Sequence, residues 1–476
     1  FEITRNEDGS VKVVVRKINK EGEETKKLYS RTFRYGVTKE IRLYGMGGED
    51  KFVLNGDGRK SILVRIIGGA GKDTFDNSAT RSSGGKTRVY DLRSEANVIT
   101  GEGKQLKKFS SDPNVNEYDR KAFRYNIWAP LVTAAFNPDD GVFLGAGFKY
   151  TGNKFRRSPS VIHKLLVSHA LATEAFTIRY SSDFRKVIGK TDLFVYANLN
   201  APDYVTNFFG LGNETNYNKD APGKIDYYRA RYNKGDMAVL LKRELSSWLT
   251  VAIGPSFQYF RPDQDENQGR FLSNFAENGL DPKTLFTDKS YLGGQFNMNI
   301  DTRDNEVMPS RGTFWQSSLK VLRGLNDNSD YLTQLNSDMA LYFPLSSTAG
   351  TVIATRFGGG INFGKYEFFQ AQYLGNTENL RGFRKFRFAG KSMLYNNTEL
   401  RIKVTDFRTY LLPGAIGIVA FNDIGRVWVD NDKSNVWHHG YGGGIWLGIV
   451  KRIVLTASLT SSKESTLPLL TFGYQF

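Results

Sequence analysis

Apolar and polar residues alternate along most of this chain, and this alternation constrains its fold more than any other feature. In Tyr331–Phe343 the odd-numbered positions carry most of the large apolar side chains, whereas Gln334, Asn336 and Asp338 lie between them. Leu292–Asp301 repeats the pattern. A period of two residues predicts β-strands with one apolar face and one polar face.

The strands predicted from this pattern are too numerous for an ordinary β-sandwich, although a sandwich would also alternate. Roughly 350 residues of short strands, without a helical pattern between them, favour one closed sheet, which leaves no exposed edge. From Pro130 onward we count about 16 strand-like runs, an even number in the range of bacterial single-chain barrels. The predicted fold is therefore all-β, with a transmembrane antiparallel β-barrel.

Composition is consistent with a barrel and excludes a helical membrane protein. Mean hydropathy is −0.42, and no run approaches the ~20 apolar residues that a membrane helix needs. The chain has no cysteine, as suits a protein of the oxidising periplasmic side. We therefore expect the outer membrane of a Gram-negative bacterium.

The last residues, TFGYQF, read as the closing strand of such a barrel. Phe472, Tyr474 and Phe476 alternate with smaller or polar residues, so they are predicted to share one strand face that meets lipid. The alternative is an ordinary edge strand.

Three motifs occur in order after residue 370. They are GNTENLRGFRKFRFAG (Gly375–Gly390), NNTELRI (Asn396–Ile402) and AFNDIGRVW (Ala420–Trp428). Their order and spacing resemble the C-terminal barrel signature of the Omp85 superfamily, also called the surface antigen D15 or BamA/TamA group. DTRDNEVMPSRGTFW (Asp301–Trp315) is similar to a strand–turn–strand motif of the same family.

The resemblance implies roles for five residues. In that family an extracellular loop folds back into the barrel, and its tip corresponds here to Arg381, Gly382 and Phe383. Asp423 and Glu399 are the implied acidic partners of the arginine. The alternative is that Arg381 is a solvated loop cation, because Arg384, Lys385 and Arg387 follow it closely.

The first quarter of the chain departs from the family pattern. We divide the chain into a β-rich periplasmic domain at residues 1–120 and a barrel at residues 121–476. Omp85 proteins commonly carry POTRA modules that mix helices with strands, whereas this region shows only short strand-like runs. These runs are Val11–Arg16, Glu40–Tyr44, Lys51–Leu54 and Ser61–Ile67.

Two glycine- and aspartate-rich turns in this region leave two interpretations open. GMGGEDKFV (Gly45–Val53) and GGAGKDTFD (Gly68–Asp76) resemble the nonapeptide of calcium-binding β-rolls. Two isolated copies lack most of the ligands, so we favour turns of a small β-solenoid stacked by Phe52 and Phe75. No cofactor and no metal site are predicted.

No catalytic site is predicted either. The chain has four histidines, and none has the spacing of a metal site or a catalytic triad.

The combination of the glycine- and aspartate-rich turns with a barrel is similar to Bacteroidota-type proteins in which a metallophosphoesterase precedes the barrel. Because the chain starts at Phe1, we expect a mature or trimmed form with an upstream domain.

The formal net charge of +16 is spread along the chain without a nucleic-acid-binding motif. We therefore expect outer-membrane lipid and lipopolysaccharide as its anionic partners, and no nucleic acid.

Two functions are consistent with these observations. The first is assembly or insertion of outer-membrane proteins, or polypeptide translocation, with unfolded outer-membrane proteins and periplasmic or lipoprotein subunits as partners. Pro130 and Pro468 would weaken the seam between the first and last strands, unless they merely mark strand starts. The alternative is a membrane anchor that displays an upstream enzyme domain.

Overall fold

The computed structural model describes the chain except residues 20–21, 58–61, 80–85, 104, 138, 203, 222, 410–411, 451 and 475. It divides into two compact units, Phe1–Phe123 and Arg124–Phe476. Each unit has its own hydrophobic clusters.

The first unit is a two-sheet β-solenoid. Its strands are β1 (Glu2–Arg5), β2 (Val11–Ile18), β3 (Glu24–Phe33), β4 (Glu40–Tyr44), β5 (Lys51–Gly56), β6 (Leu63–Ile67), β7 (Thr74–Asn77), β8 (Thr87–Tyr90), β9 (Val98–Thr100) and β10 (Leu106–Lys107). One sheet has the order β3-β2-β1-β5-β7-β9 and the other β10-β8-β6-β4. The repeating rungs pair in parallel, since β4 pairs with β6 and β5 with β7. Three of the four predicted strands are recovered from their first residue, and Ser61, the start of the fourth, lies outside the described residues.

Parallel register stacks identical positions of successive rungs. Phe52 and Phe75 are paired residues of β5 and β7, with ring centroids 5.4 Å apart and planes at 9°. Both are completely buried. The predicted aromatic stack of a small solenoid is thus confirmed.

The same stacking brings acidic side chains together beside a glycine. Asp73 and Asp91 are completely buried, and a Cβ on Gly68 would lie within 2.2 Å of an Oδ2 atom of each. Only glycine leaves room for both carboxyl groups. Across the described residues, no group of three or more histidine, cysteine and acidic side chains is arranged to hold a metal ion.

The second unit is a closed barrel. Its strands are β11 (Ile127–Asn137), β12 (Gly141–Lys154), β13 (Arg157–Ala170), β14 (Phe176–Ile188), β15 (Thr191–Asn200), β16 (Val205–Asn207), β17 (Arg229–Glu244), β18 (Leu249–Pro262), β19 (Lys289–Asp301), β20 (Gly312–Gly324), β21 (Leu332–Pro344), β22 (Thr351–Gly364), β25 (Ser392–Phe407), β26 (Gly414–Trp428), β27 (His438–Ile449), β28 (Ile453–Ser462) and β29 (Thr466–Phe472). Two further short strands, β23 (Gln372–Leu374) and β24 (Phe388–Gly390), pair with each other in a loop.

Sixteen of the described barrel strands are long and follow one another as an antiparallel meander. The exception, β16, has three residues and adds to the end of β17, which also pairs with β15. The barrel strand number therefore agrees with the prediction. Pro130 lies inside β11, opposite Phe148, and Pro468 lies inside β29, opposite Leu459; neither proline starts its strand.

Residues alternate between the two faces as the sequence predicts. Along β25, Leu394 and Leu400 are exposed, whereas Tyr395, Asn397 and Glu399 are buried. The apolar side chains therefore lie outside and the polar ones inside.

Helical structure in the described part of the chain consists of short segments of three to five residues. The α-helices are α1 (Phe275–Asn278), α2 (Pro282–Leu285) and α3 (Asn376–Asn379). No helix in the described part of the chain is long and apolar enough to cross a membrane.

An aromatic cluster occupies the end of the barrel at which β11 finishes. It joins the loops at residues 201–228, 263–288 and 365–391 to the adjacent strand ends. Phe260 of β18 stacks on Phe369 at 3.8 Å between ring centroids, with planes at 6°, and Phe208 lies 5.2 Å from Phe368. We call it the aromatic cap.

Candidate functional site

The loop at residues 365–391, which joins β22 to β25, reaches the inner face of the barrel wall. We call it the inner loop. It carries β23, α3 and β24, and the pairing of β23 with β24 gives it a short hairpin frame. Leu380, Phe383 and Phe388 are completely or almost completely buried, in a cluster with Tyr395 and Val427 of the barrel wall. This packing fixes the tip of the loop.

Arg381, at the tip, is held by both of its implied acidic partners. Its Nε and Nη2 donate to the two carboxylate oxygens of Asp423, each at 2.7 Å, and its Nη1 donates to Oε1 of Glu399 at 2.6 Å. The backbone N–H of Arg381 also donates to Asp423, at 3.0 Å. A planar guanidinium suits this two-point contact, which a lysine could not reproduce.

The members of this ion cluster are almost completely buried. Arg381 is 5% exposed, Glu399 2% and Asp423 0%. The guanidinium carbon of Arg381 also lies 3.5 Å from the ring centroid of Phe421, in cation–π geometry. The alternative of a solvated loop cation is therefore wrong for Arg381 in this structure.

Gly382 and Phe383 complete the tip of the loop. The backbone of Gly382 lies close to a neighbouring strand, and the side chain of Phe383 is buried. Gly382 has φ +86°, and a Cβ there would lie 2.7 Å from the carbonyl oxygen of Ser461. Its own carbonyl accepts hydrogen bonds from the hydroxyl groups of Ser462 and Ser465, at 2.6 and 3.1 Å. Phe383 has no exposed surface. The tip therefore contacts the β28–β29 hairpin as well as β25 and β26.

The structure places one of the three predicted closing-strand aromatic residues on the outer face of the barrel and the other two inside it. Phe472 ends β29 and is 56% exposed, consistent with a lipid-facing position. Gly473 then adopts φ +102° and the strand stops. Tyr474 packs against Trp446, with ring centroids 5.7 Å apart, and the Phe476 ring lies 5.1 Å from the guanidinium of Arg356. Both therefore lie inside the barrel.

Arg401 is a member of the site that motif matching did not single out. Its Nε donates to Oε2 of Glu399 at 2.8 Å, and its Nη2 donates to the carbonyl of Phe476 at 2.8 Å. Its guanidinium carbon is 4.0 Å from the ring centroid of Tyr474. The signal was its position two residues from Glu399, on the same strand face.

A cavity lies near the opposite end of the barrel from the aromatic cap. Its volume is about 720 Å³, and its lining includes Arg401, Lys403, Trp446 and Tyr474. Its lining thus combines aromatic residues with charged residues of both signs, because Asp304 and Asp406 also line it.

The seam between the first and last strands is much weaker than the other strand contacts. Among the residues that the structure describes, β11 and β29 share a single residue pair, Phe136 with Leu470. By contrast, β11 pairs with β12 along its whole length, and β28 pairs with β29 from Ser461–Thr466 to Leu455–Phe472. Most backbone groups along these two edges therefore lack a ladder partner across the seam.

Comparison with known proteins agrees with this architecture. Residues 180–449 match the Omp85 superfamily domain, so the chain belongs to the Omp85 superfamily of outer-membrane barrels. Among solved structures it is similar to BamA from Haemophilus ducreyi lacking POTRA domains 1–3, with 13% identity, a TM-score of 0.52, and coverage of 81% of this chain and 74% of that one.

Two other similar structures are CdiB proteins. CdiB from Acinetobacter baumannii is 14% identical, with a TM-score of 0.47 and coverage of 73% of this chain and 59% of that chain. CdiB from Escherichia coli is 10% identical, with a TM-score of 0.49 and coverage of 72% and 62%. The chain therefore spans less than two thirds of the length of either CdiB.

Proposed function

We propose that this barrel inserts or assembles other outer-membrane proteins, and that it does so at the seam between β11 and β29. The observation that carries the proposal is the single residue pair across this seam. Unpaired strand edges are templates for a further strand, so an incoming barrel strand can pair there without first breaking a long ladder.

The aromatic cap favours insertion over passage through the lumen. Phe260, Phe368 and Phe369 are almost completely buried in it, and a polypeptide leaving by that end would have to displace these packed rings. The exit that requires the least disruption is sideways, through the seam. In this proposal the first unit lies in the periplasm, and the partners are unfolded outer-membrane proteins.

A reversible lock on the seam tests the proposal. The chain has no cysteine, so Phe136→Cys with Leu470→Cys introduces one defined pair. The purified full chain in proteoliposomes is given a small outer-membrane barrel protein unfolded in urea, and its insertion is followed by heat-modifiable migration. Oxidation should abolish insertion and reduction should restore it.

A control pair separates locking from cysteine chemistry. Leu335 and Ile361 are paired residues of β21 and β22, far from the seam in strand order, so Leu335→Cys with Ile361→Cys should insert the client equally well oxidised or reduced. Full insertion by the oxidised seam pair would overturn the proposal. If the parent chain inserts nothing, the anchor function becomes the better explanation.

A further inference from the structure

Basic residues of the inner loop beyond its tip contact the turns that adjoin both edge strands of the seam. They are Arg384, Lys385 and Arg387, which follow Arg381 closely in the sequence. Arg387 is only 2% exposed, and the side chains of Arg384 and Lys385 are 21% and 16% exposed. Burial of three cations within four residues requires specific partners, because an unpaired buried charge is strongly unfavourable.

The partners on one side lie in the turn that follows the first barrel strand. Asp139, in the NPDDG turn whose Pro138 lies outside the described residues, is 3% exposed. It accepts hydrogen bonds from the backbone N–H of Lys385 at 2.9 Å and from Arg384 at 3.3 Å. The ammonium of Lys385 contacts Asp140 at 3.1 Å. The inner loop thus binds the end of β11.

The partners on the other side lie in the turn before the last strand. Nε of Arg387 donates to the carboxylate of Glu464 at 2.9 Å, and its Nη2 lies 2.9 Å from the other oxygen. Glu464 belongs to the β28–β29 turn, whose Ser462 and Ser465 also donate to the carbonyl of Gly382. The inner loop thus binds the start of β29.

These contacts join the two edges through side chains where the backbone ladder does not. The seam has one residue pair, whereas the inner loop places buried or half-buried ion pairs on both of its sides. We propose that Arg384, Lys385 and Arg387 form a clasp that holds the two edge strands together, and that the seam opens only when this clasp releases. In the proposed insertion these are positioning residues. The role of the clasp in insertion rests on the proposed function, whereas the clasp contacts themselves do not.

The geometry of the seam can be measured without any client. Val132 of β11 is 83% exposed and Phe472 of β29 is 56% exposed, so Val132→Cys with Phe472→Cys accepts two spin labels on opposite edges of the seam. Electron paramagnetic resonance on the full chain in lipid nanodiscs then reports the distance between the edges. The parent chain should give a single short distance.

Clasp variants should widen this distribution. Lys385→Met and Arg387→Met should each raise the long-distance population several-fold. The charge swap Arg387→Glu with Glu464→Arg should return it toward the parent value, which a merely misfolded variant could not do. The matched control is Lys391→Met, because Lys391 is in the same loop but contacts exposed Asp430, beyond the end of β26, at 2.9 Å.

The distance measurements test the clasp separately from the proposed function. Widening in the two clasp variants but not in Lys391→Met supports it, whereas unchanged distances in both clasp variants, or equal widening in the control, overturn it. If the distances respond but client insertion is the same in all variants, the clasp stands and the proposed function fails.

Discussion

Glu399 is the residue through which the inner loop and the chain after β29 are connected. One of its carboxylate oxygens accepts from Arg381 and the other from Arg401, and Arg401 in turn donates to the carbonyl of Phe476. All three charged side chains are at most 5% exposed. In such surroundings, removing one member leaves its partners charged and unpaired, so the effect of a single substitution exceeds the worth of one ion pair.

Arg381→Ala should therefore destabilise the loop tip by about 3–5 kcal/mol, because it leaves Asp423 without its main partner and Glu399 with only Arg401. Arg381→Lys keeps the charge but loses the two-point contact, so its effect should be smaller than that of alanine yet clearly measurable. Limited proteolysis of the inner loop in the folded barrel measures the opening free energy. Equal protease resistance in the parent and the alanine variant would contradict this assignment.

At the level of elements, the solenoid of the first unit carries a buried acidic pair with a definite pH signature. Burial raises the pKa of Asp73 from 3.8 to about 6, and the Asp91 carboxyl lies beside it across Gly68. A raised pKa in the folded state means that the protonated form is favoured by folding. The stability it contributes is fully present below pH 3.8 and is lost as the pH rises through about 6.

The unfolding temperature of the first unit should therefore rise as the pH is lowered from about 7 to about 5. Asp73→Asn should flatten this dependence, since an amide is neutral throughout and can donate a hydrogen bond toward Asp91. Asp76→Asn, three residues further along in β7, should leave it in place. Differential scanning calorimetry of the full chain in detergent measures all three, and an unaltered slope in Asp73→Asn would refute the argument.

Features of the barrel differ in how far local sequence patterns determined them. Period-two alternation was sufficient for the barrel, its strand number and the face on which Glu399 lies, because each follows from neighbouring residues. The partners of the clasp were not predictable in this way. Lys385 and Asp140 are 245 residues apart and Arg387 and Glu464 are 77 apart, so only closure of the barrel brings them together.

The prediction for the end of the last strand was wrong for a different reason. Alternation of Phe472, Tyr474 and Phe476 is compatible with a strand, but Gly473 has φ +102°, which ends the extended conformation. Glycine also occurs within regular strands, so its presence did not reveal the break. Arg401 offers Tyr474 a cation–π contact and Phe476 a hydrogen bond, but it lies on β25, 75 residues before Phe476 in the sequence.

At the level of the whole molecule, the aromatic cap packs loops and strand ends against one another at one end of the barrel. We expect a low single-channel conductance in planar lipid bilayers. Phe260→Ala with Phe369→Ala should raise it several-fold, because the two rings stack at 3.8 Å in the cap. Phe357→Ala is the control, since Phe357 is 48% exposed on a barrel strand. A large, steady conductance of the parent chain would show that the cap is not a barrier.

The cap at one end and the cavity of about 720 Å³ near the other give the barrel the topology of a blind pocket. A polypeptide that moved along the barrel axis would have to return through the end by which it entered. Under the proposed function, a client that entered from the end opposite the cap would therefore leave through the weakly paired seam, into the plane of the membrane, once the clasp releases.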